Sequence, residues 1–90
     1  MEITIRLGDD KLKETLGSIV KLEVPKNKTI RDVLTMLQTR YSDLYFGDLV
    51  VNRRAFLVLV DGVEISTFSN LETELTRSCE IFIIPVIHGG

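Results

Sequence analysis

Reactive and structure-locking residues are scarce in this 90-residue chain: one cysteine, one histidine, two prolines and no tryptophan. A single cysteine, Cys79, excludes an internal disulfide and any multi-cysteine metal site. A single histidine, His88, excludes a paired-histidine metal motif. Cys79 and His88 together make a poor nucleophile–base pair, because one opens the last strand-like run and the other lies on the tail beyond it. The glycines Gly8, Gly17, Gly47 and Gly62 are isolated, so no loop has phosphate-binding spacing. Carboxylates are plentiful, but no pattern singles out an acid/base pair. Neither sign of charge dominates: 11 Lys+Arg stand against 13 Asp+Glu, a net −2. Nucleic-acid binding through phosphate neutralisation is therefore not expected. Lys11, Lys13, Lys21, Lys26 and Lys28 cluster early and read as solvated loop and turn residues. Long apolar runs are missing too. The longest, Ile81–Ile87, is interrupted by Pro85 and is far too short to span a bilayer. The opening residues Met1–Leu7 alternate instead of forming a signal core. A soluble, cytoplasmic protein that is not an enzyme by itself is the expectation.

What is present is enough for one small domain. Ile3, Ile5 and Leu7 alternate with Glu2, Thr4 and Arg6, the pattern of a half-buried strand. Asp9–Gly17 reads as a short capped helical turn with both aspartates at its start, and Ile19–Val24 as a second strand closed by Pro25. Thr29 and Asp32 approximate a capping box for the main helix. Ile30, Val33, Leu34, Leu37 and Tyr41 share one face of that helix, which is expected to end near Ser42. Residues Asp43–Arg54 fit either a short extra helix or an irregular loop with a turn at Asn52–Arg54. Phe56–Val60 is a continuous apolar run, expected to be covered on both faces and central in its sheet. Asp61-Gly62 marks a hairpin into Val63–Ile65. Leu71 and Leu75 suggest one more helical turn, and Glu80–Ile84 is the last strand. The fold class that follows is α+β: a small mixed sheet with one main helix packed across it. That is the β-grasp arrangement used by ubiquitin, with a domain over 1–84 and a flexible tail over 85–90.

The tail offers the one distinctive chemical group. Pro85 cannot donate to a sheet ladder and marks the expected exit from the last strand. Beyond it, Val86, Ile87, His88, Gly89 and Gly90 would reach roughly 17 Å if extended. Gly89 and Gly90 have no side chains to obstruct a narrow channel. A terminal carboxylate there can be activated as an acyl-adenylate and then attacked by sulfur, or by a thiol and later a lysine amine.

Three segments resemble the MoaD/ThiS-type, ubiquitin-like sulfur carriers. Asn52–Ile65 is similar to the central hairpin of that family, Leu71–Leu75 to its short leucine turn, and Glu80–Gly90 to its terminal strand, proline and Gly-Gly tail. The resemblance implies that Gly90 is adenylated and converted to a thiocarboxylate, while Gly89, His88, Ile87, Val86 and Pro85 thread a partner's active site. It implies no permanently bound cofactor, with ATP consumed by a ubiquitin-activating-type adenylating enzyme. The other implied partners are a sulfurtransferase or sulfur donor and a molybdopterin synthase large subunit. Sulfur would pass to molybdopterin or tungstopterin, thiamine thiazole or tRNA. Two positions depart from the molybdopterin synthase pattern: Val86 replaces a second proline, and Ser78-Cys79 replaces Gly-Asp. The His88-Gly89-Gly90 ending is closer to the ubiquitin-related modifier. A protein modifier joined through Gly90 to target lysines is thus the alternative, and a plain interaction domain the third reading.

Overall fold

The first strand, β1 (Glu2–Leu7), forms where isoleucine and leucine alternate with polar residues, and its burial follows the alternation. Ile3, Ile5 and Leu7 are buried beneath the main helix, whereas Glu2 and Arg6 lie on the other side. The computed structural model describes residues 1–8, 10–41 and 56–86, with the side chains of Lys11, Leu12 and Thr15 outside it. A short helix α1 (Asp10–Leu16) follows and ends at Gly17, whose φ of 84° suits a residue without Cβ. Strand β2 (Ile19–Glu23) returns antiparallel to β1, with Ile3 opposite Leu22 and Ile5 opposite Val20.

The main helix α2 (Ile30–Arg40) begins as its sequence dictates. Thr29 is the N-cap, its hydroxyl accepting from Asp32 N at 3.2 Å while Asp32 Oδ2 accepts from Thr29 N at 2.9 Å. Two orphan donors of the first turn are satisfied reciprocally. The Thr29 bonds hold the Asp32 carboxyl below its ordinary pKa. Ile30, Val33, Leu34 and Leu37 form the buried stripe, and Tyr41 caps the far end, half-buried. The expected end at Ser42 and the segment Asp43–Arg54 lie outside the described residues.

Strand β4 (Phe56–Val60) turns at Asp61-Gly62 into β5 (Val63–Glu64). Positive φ at both turn residues, 47° and 84°, is the hairpin geometry that Asp-Gly favours. Two 3₁₀ turns follow, Ile65–Thr67 and Asn70–Glu72. The second replaces the α-turn expected at Leu71–Leu75, and the chain then extends as β6 (Glu74–Leu75) to pair with β3 (Lys28–Thr29). The two-residue β3–β6 sheet ties the start of α2 to the later half of the chain. Ile30 N donates to Thr73 O and Asn27 N to Leu75 O, both at 3.0 Å.

The last strand, β7 (Cys79–Pro85), is longer than the sequence suggested by a residue at each end. It occupies the middle of the five-stranded order β2-β1-β7-β4-β5, parallel to β1 and antiparallel to β4. The central position expected for Phe56–Val60 thus belongs to β7. Phe56 and Val58 point into the core, but Leu57 is 36% exposed, so among the described residues β4 is covered on one face only. Helix α2 covers one side of the sheet, and among the described residues nothing covers the other.

Candidate functional site: the tail strand and its uncovered sheet face

Six residues were expected to form the site, and two of them are described. Pro85 is the final residue of β7, half-buried and opposite Phe56 in the register. Val86 follows it and is 40% exposed. Ile87, His88, Gly89 and Gly90 lie outside the described residues. The two ladders that hold β7 stop at different points. On the β1 side the last bond is Gly8 N to Ile83 O at 2.7 Å, and on the β4 side pairing runs to Pro85. Proline contributes no N–H, so it closes the ladder at the position where the chain leaves the sheet. Val86 is past both ladders.

Alternation along β7 and β4 decides what surrounds this exit. Ile81 and Ile83 face the core with Val58. Phe82, Ile84, Leu57 and Leu59 take the opposite face, paired Leu57 to Ile84 and Leu59 to Phe82. They make an apolar strip on the uncovered side that runs toward the tail. Arg6 borders it, its guanidinium 4.6 Å from the Phe82 ring centroid and its Nη1 3.3 Å from Glu80 Oε1. Such a cation–π stack holds the arginine flat against the sheet while leaving its charge wet. Sequence reasoning missed this strip because a five-residue apolar run reads as burial on both faces. The available signal was the terminal strand itself, whose Phe82 and Ile84 fall on the parity opposite to Ile81 and Ile83.

Cys79 opens β7 half-buried against the core. Burial pushes its thiol pKa up, the Asp61 carboxylate adds to this, and Arg77 opposes it. The thiol is therefore kept in its unreactive protonated form. Asp61 is occupied structurally: its Oδ1 accepts from Glu80 N at 2.9 Å, and its own N–H reaches Glu80 O at 2.8 Å. Among the described residues no three His, Cys, Asp or Glu side chains converge as metal ligands, and no helix is long and apolar enough to cross a membrane.

Comparison with known proteins places this geometry. No curated protein matches the sequence. Among solved structures, the small archaeal modifier protein SAMP1 of Haloferax volcanii superposes with a TM-score of 0.73 at 18% identity, covering 100% of each chain. Small archaeal modifier protein 1 of Methanosarcina acetivorans gives 0.71 at 27% identity, covering 99% of this chain and 96% of that one. A complex of subunits 1 and 2 of the molybdopterin-converting factor of Helicobacter pylori supplies a third, at 0.54 and 14% identity with 100% of both chains covered. The first and third of these likenesses speak for the fold. The ThiS family model matches residues 10–90, nearly the whole chain. The chain is thus a β-grasp protein belonging to the ThiS family of ubiquitin-like sulfur carriers and modifiers.

Proposed function

We propose that this protein carries sulfur on Gly90. The carboxylate oxygen of Gly90 attacks the α-phosphorus of ATP inside an adenylating partner, and pyrophosphate leaves. Hydrosulfide, or the terminal sulfur of a sulfurtransferase persulfide, then attacks the acyl carbon, and AMP departs with the former carboxylate oxygen. In the persulfide case a second thiol of the donor cleaves the resulting acyl disulfide, releasing the thiocarboxylate and leaving a protein disulfide. The product is a thiocarboxylate in which one oxygen has been exchanged for sulfur. ATP is the partner's substrate, and this chain acts as substrate or small subunit, in the cytoplasm.

The observation that carries the reading is the course of β7. It is gripped on both sides up to Ile83 and on the β4 side up to Pro85, and Val86 just beyond is exposed, which supports a tail that starts from the central strand of the sheet. Pro85–His88 would span the partner's channel, with Gly89 giving clearance. The apolar strip of Leu57, Leu59, Phe82 and Ile84 leads to this exit and supports docking of the adenylating enzyme there. Sulfur transfer to molybdopterin or tungstopterin with a large synthase subunit is the favoured destination, in keeping with the two-subunit complex among the structural neighbours. Thiolation of tRNA is the second destination.

A modifier role is favoured by one observation, the 27% identity to small archaeal modifier protein 1 of M. acetivorans. There Gly90 would form an amide with target lysines. Intact-mass measurement after incubation with ATP, the adenylating enzyme and a sulfur donor tests the carrier reading. The expected product shows exchange of one oxygen for sulfur, abolished by deletion of Gly90 or by Gly89→Leu. An unchanged wild-type mass under these conditions refutes it, and lysine adducts in cell extract would establish the modifier.

A further inference from the structure

Strand β2 borders the five-stranded sheet, and among the described residues it pairs with β1 alone. The bonds to β1 fix which backbone groups are already used. Met1 N donates to Val24 O and Val24 N to Met1 O, both at 2.8 Å, while Leu7 N donates to Ser18 O at 3.0 Å. Antiparallel ladders alternate with period two, so Ser18, Val20, Leu22 and Val24 address β1. The N–H and C=O groups of Ile19, Lys21 and Glu23 therefore point outward from the sheet. All three residues are exposed, Ile19 at 51%. On the helix side of this border runs a groove of about 530 Å³ between β2 and α2, walled by Leu22, Met36, Thr35 and Thr39.

An open row of donors and acceptors is a template for another extended strand. Charge selects which one. We propose that β2 pairs antiparallel with β2 of a second copy of this chain, with Lys21 opposite the partner's Glu23 and Glu23 opposite the partner's Lys21. Both residues have outward backbone groups, so each such pair exchanges two ladder bonds, and the two-fold axis passes beside Leu22. The Glu23 carboxylate is accessible for this: its side chain is 79% exposed and its present partner is the α-amino group of Met1 at 3.7 Å. The neighbouring register, with Lys21 opposite itself, sets like charges against each other and is disfavoured. Pro25 has no N–H and ends the ladder on each side.

The axis stands perpendicular to the sheet, so both α2 helices lie on the same side of the extended sheet. The Met36 and Thr39 walls of the two grooves then face one another and close the space. The contact is isologous and self-limiting. It lies two strands away from β7 and does not depend on the sulfur-carrier reading.

Sedimentation equilibrium of the full chain from micromolar to millimolar concentration tests the pairing, with thermal melts confirming that each variant is folded. Wild type should show a concentration-dependent monomer–dimer equilibrium. Lys21→Glu and Glu23→Lys should each weaken it by roughly tenfold or more, since two symmetric contacts turn repulsive. An equimolar mixture of the two single variants should dimerise again, because both acidic positions of one chain would then face basic positions of the other. The double variant K21E/E23K should also recover. A monomeric wild type, charge reversals without effect, or failure of the mixture to recover would each overturn the proposal.

Discussion

Replacing Leu34 by alanine asks whether α2 is held to the sheet by packing. Leu34 is fully buried in the helix stripe, within one core cluster that joins Ile30, Val33 and Leu37 to the strand residues Ile3, Ile5, Ile81 and Ile83. The change removes three carbon groups worth about 0.8 kcal/mol each in transfer free energy and leaves a cavity. Measured costs for buried leucines run from about 2.7 to 5 kcal/mol, depending on how far the surroundings collapse. Collapse is restricted here, because β1 and β7 are fixed by ladders to each other and to further strands. A loss of about 3–4 kcal/mol is expected. For a domain of this size that lowers Tm by between about 12 and 30 °C. Thr35→Ala is the control on the same turn. Thr35 is exposed and its hydroxyl donates to Arg31 O at 2.8 Å. Alanine has the better helix propensity, so the net change should stay within about 0.5 kcal/mol. Urea and thermal unfolding followed by circular dichroism read both variants. A Leu34→Ala loss no larger than that of Thr35→Ala would refute the packing argument.

Gly8→Ala should destabilise by about 1–3 kcal/mol through overpacking. A Cβ there would stand 3.2 Å from both Ile83 O and the Phe82 ring, and that carbonyl is already fixed as the acceptor of Gly8 N–H. An unchanged melting temperature would show that β1 and β7 can part at this point. Asp32→Asn should flatten the acid limb of stability. Hydrogen bonds from Thr29 depress the folded pKa, so the contribution is fully present above the ordinary value of 3.8 and is lost as pH falls through the folded one. Melts from pH 6 down to pH 2 check this, and parallel curves for wild type and variant would contradict it.

Much of this fold was legible because local and global signals agree. Alternation at Ile3–Leu7, the Thr29/Asp32 box and Asp61-Gly62 each specify their element through short-range chemistry. What the sequence concealed was the arrangement across strands. The apolar run Phe56–Val60 carries the same composition whether one face or two is covered, and only the placement of β7 decides. The β3–β6 pair was equally hidden, since Lys28–Thr29 and Glu74–Leu75 are too short for any period to show. At the site, Pro85 is the last residue of β7 and Val86 the first beyond it, one residue later than the exit read from the proline. Half of the apolar strip beside them was signalled by the parity of Phe82 and Ile84, but its partners Leu57 and Leu59 join it only through the register of β4 with β7.

The position of β7 also governs how the molecule bears load. If the C-terminus is drawn into a partner's channel, as proposed, the pull runs lengthwise along β7. Backbone bonds to β1 and β4 lie across that direction on both flanks, so they resist in shear, all together, and do not unzip one by one. Under the proposed function, a partner's pull on the C-terminus would thus be met by both ladders at once.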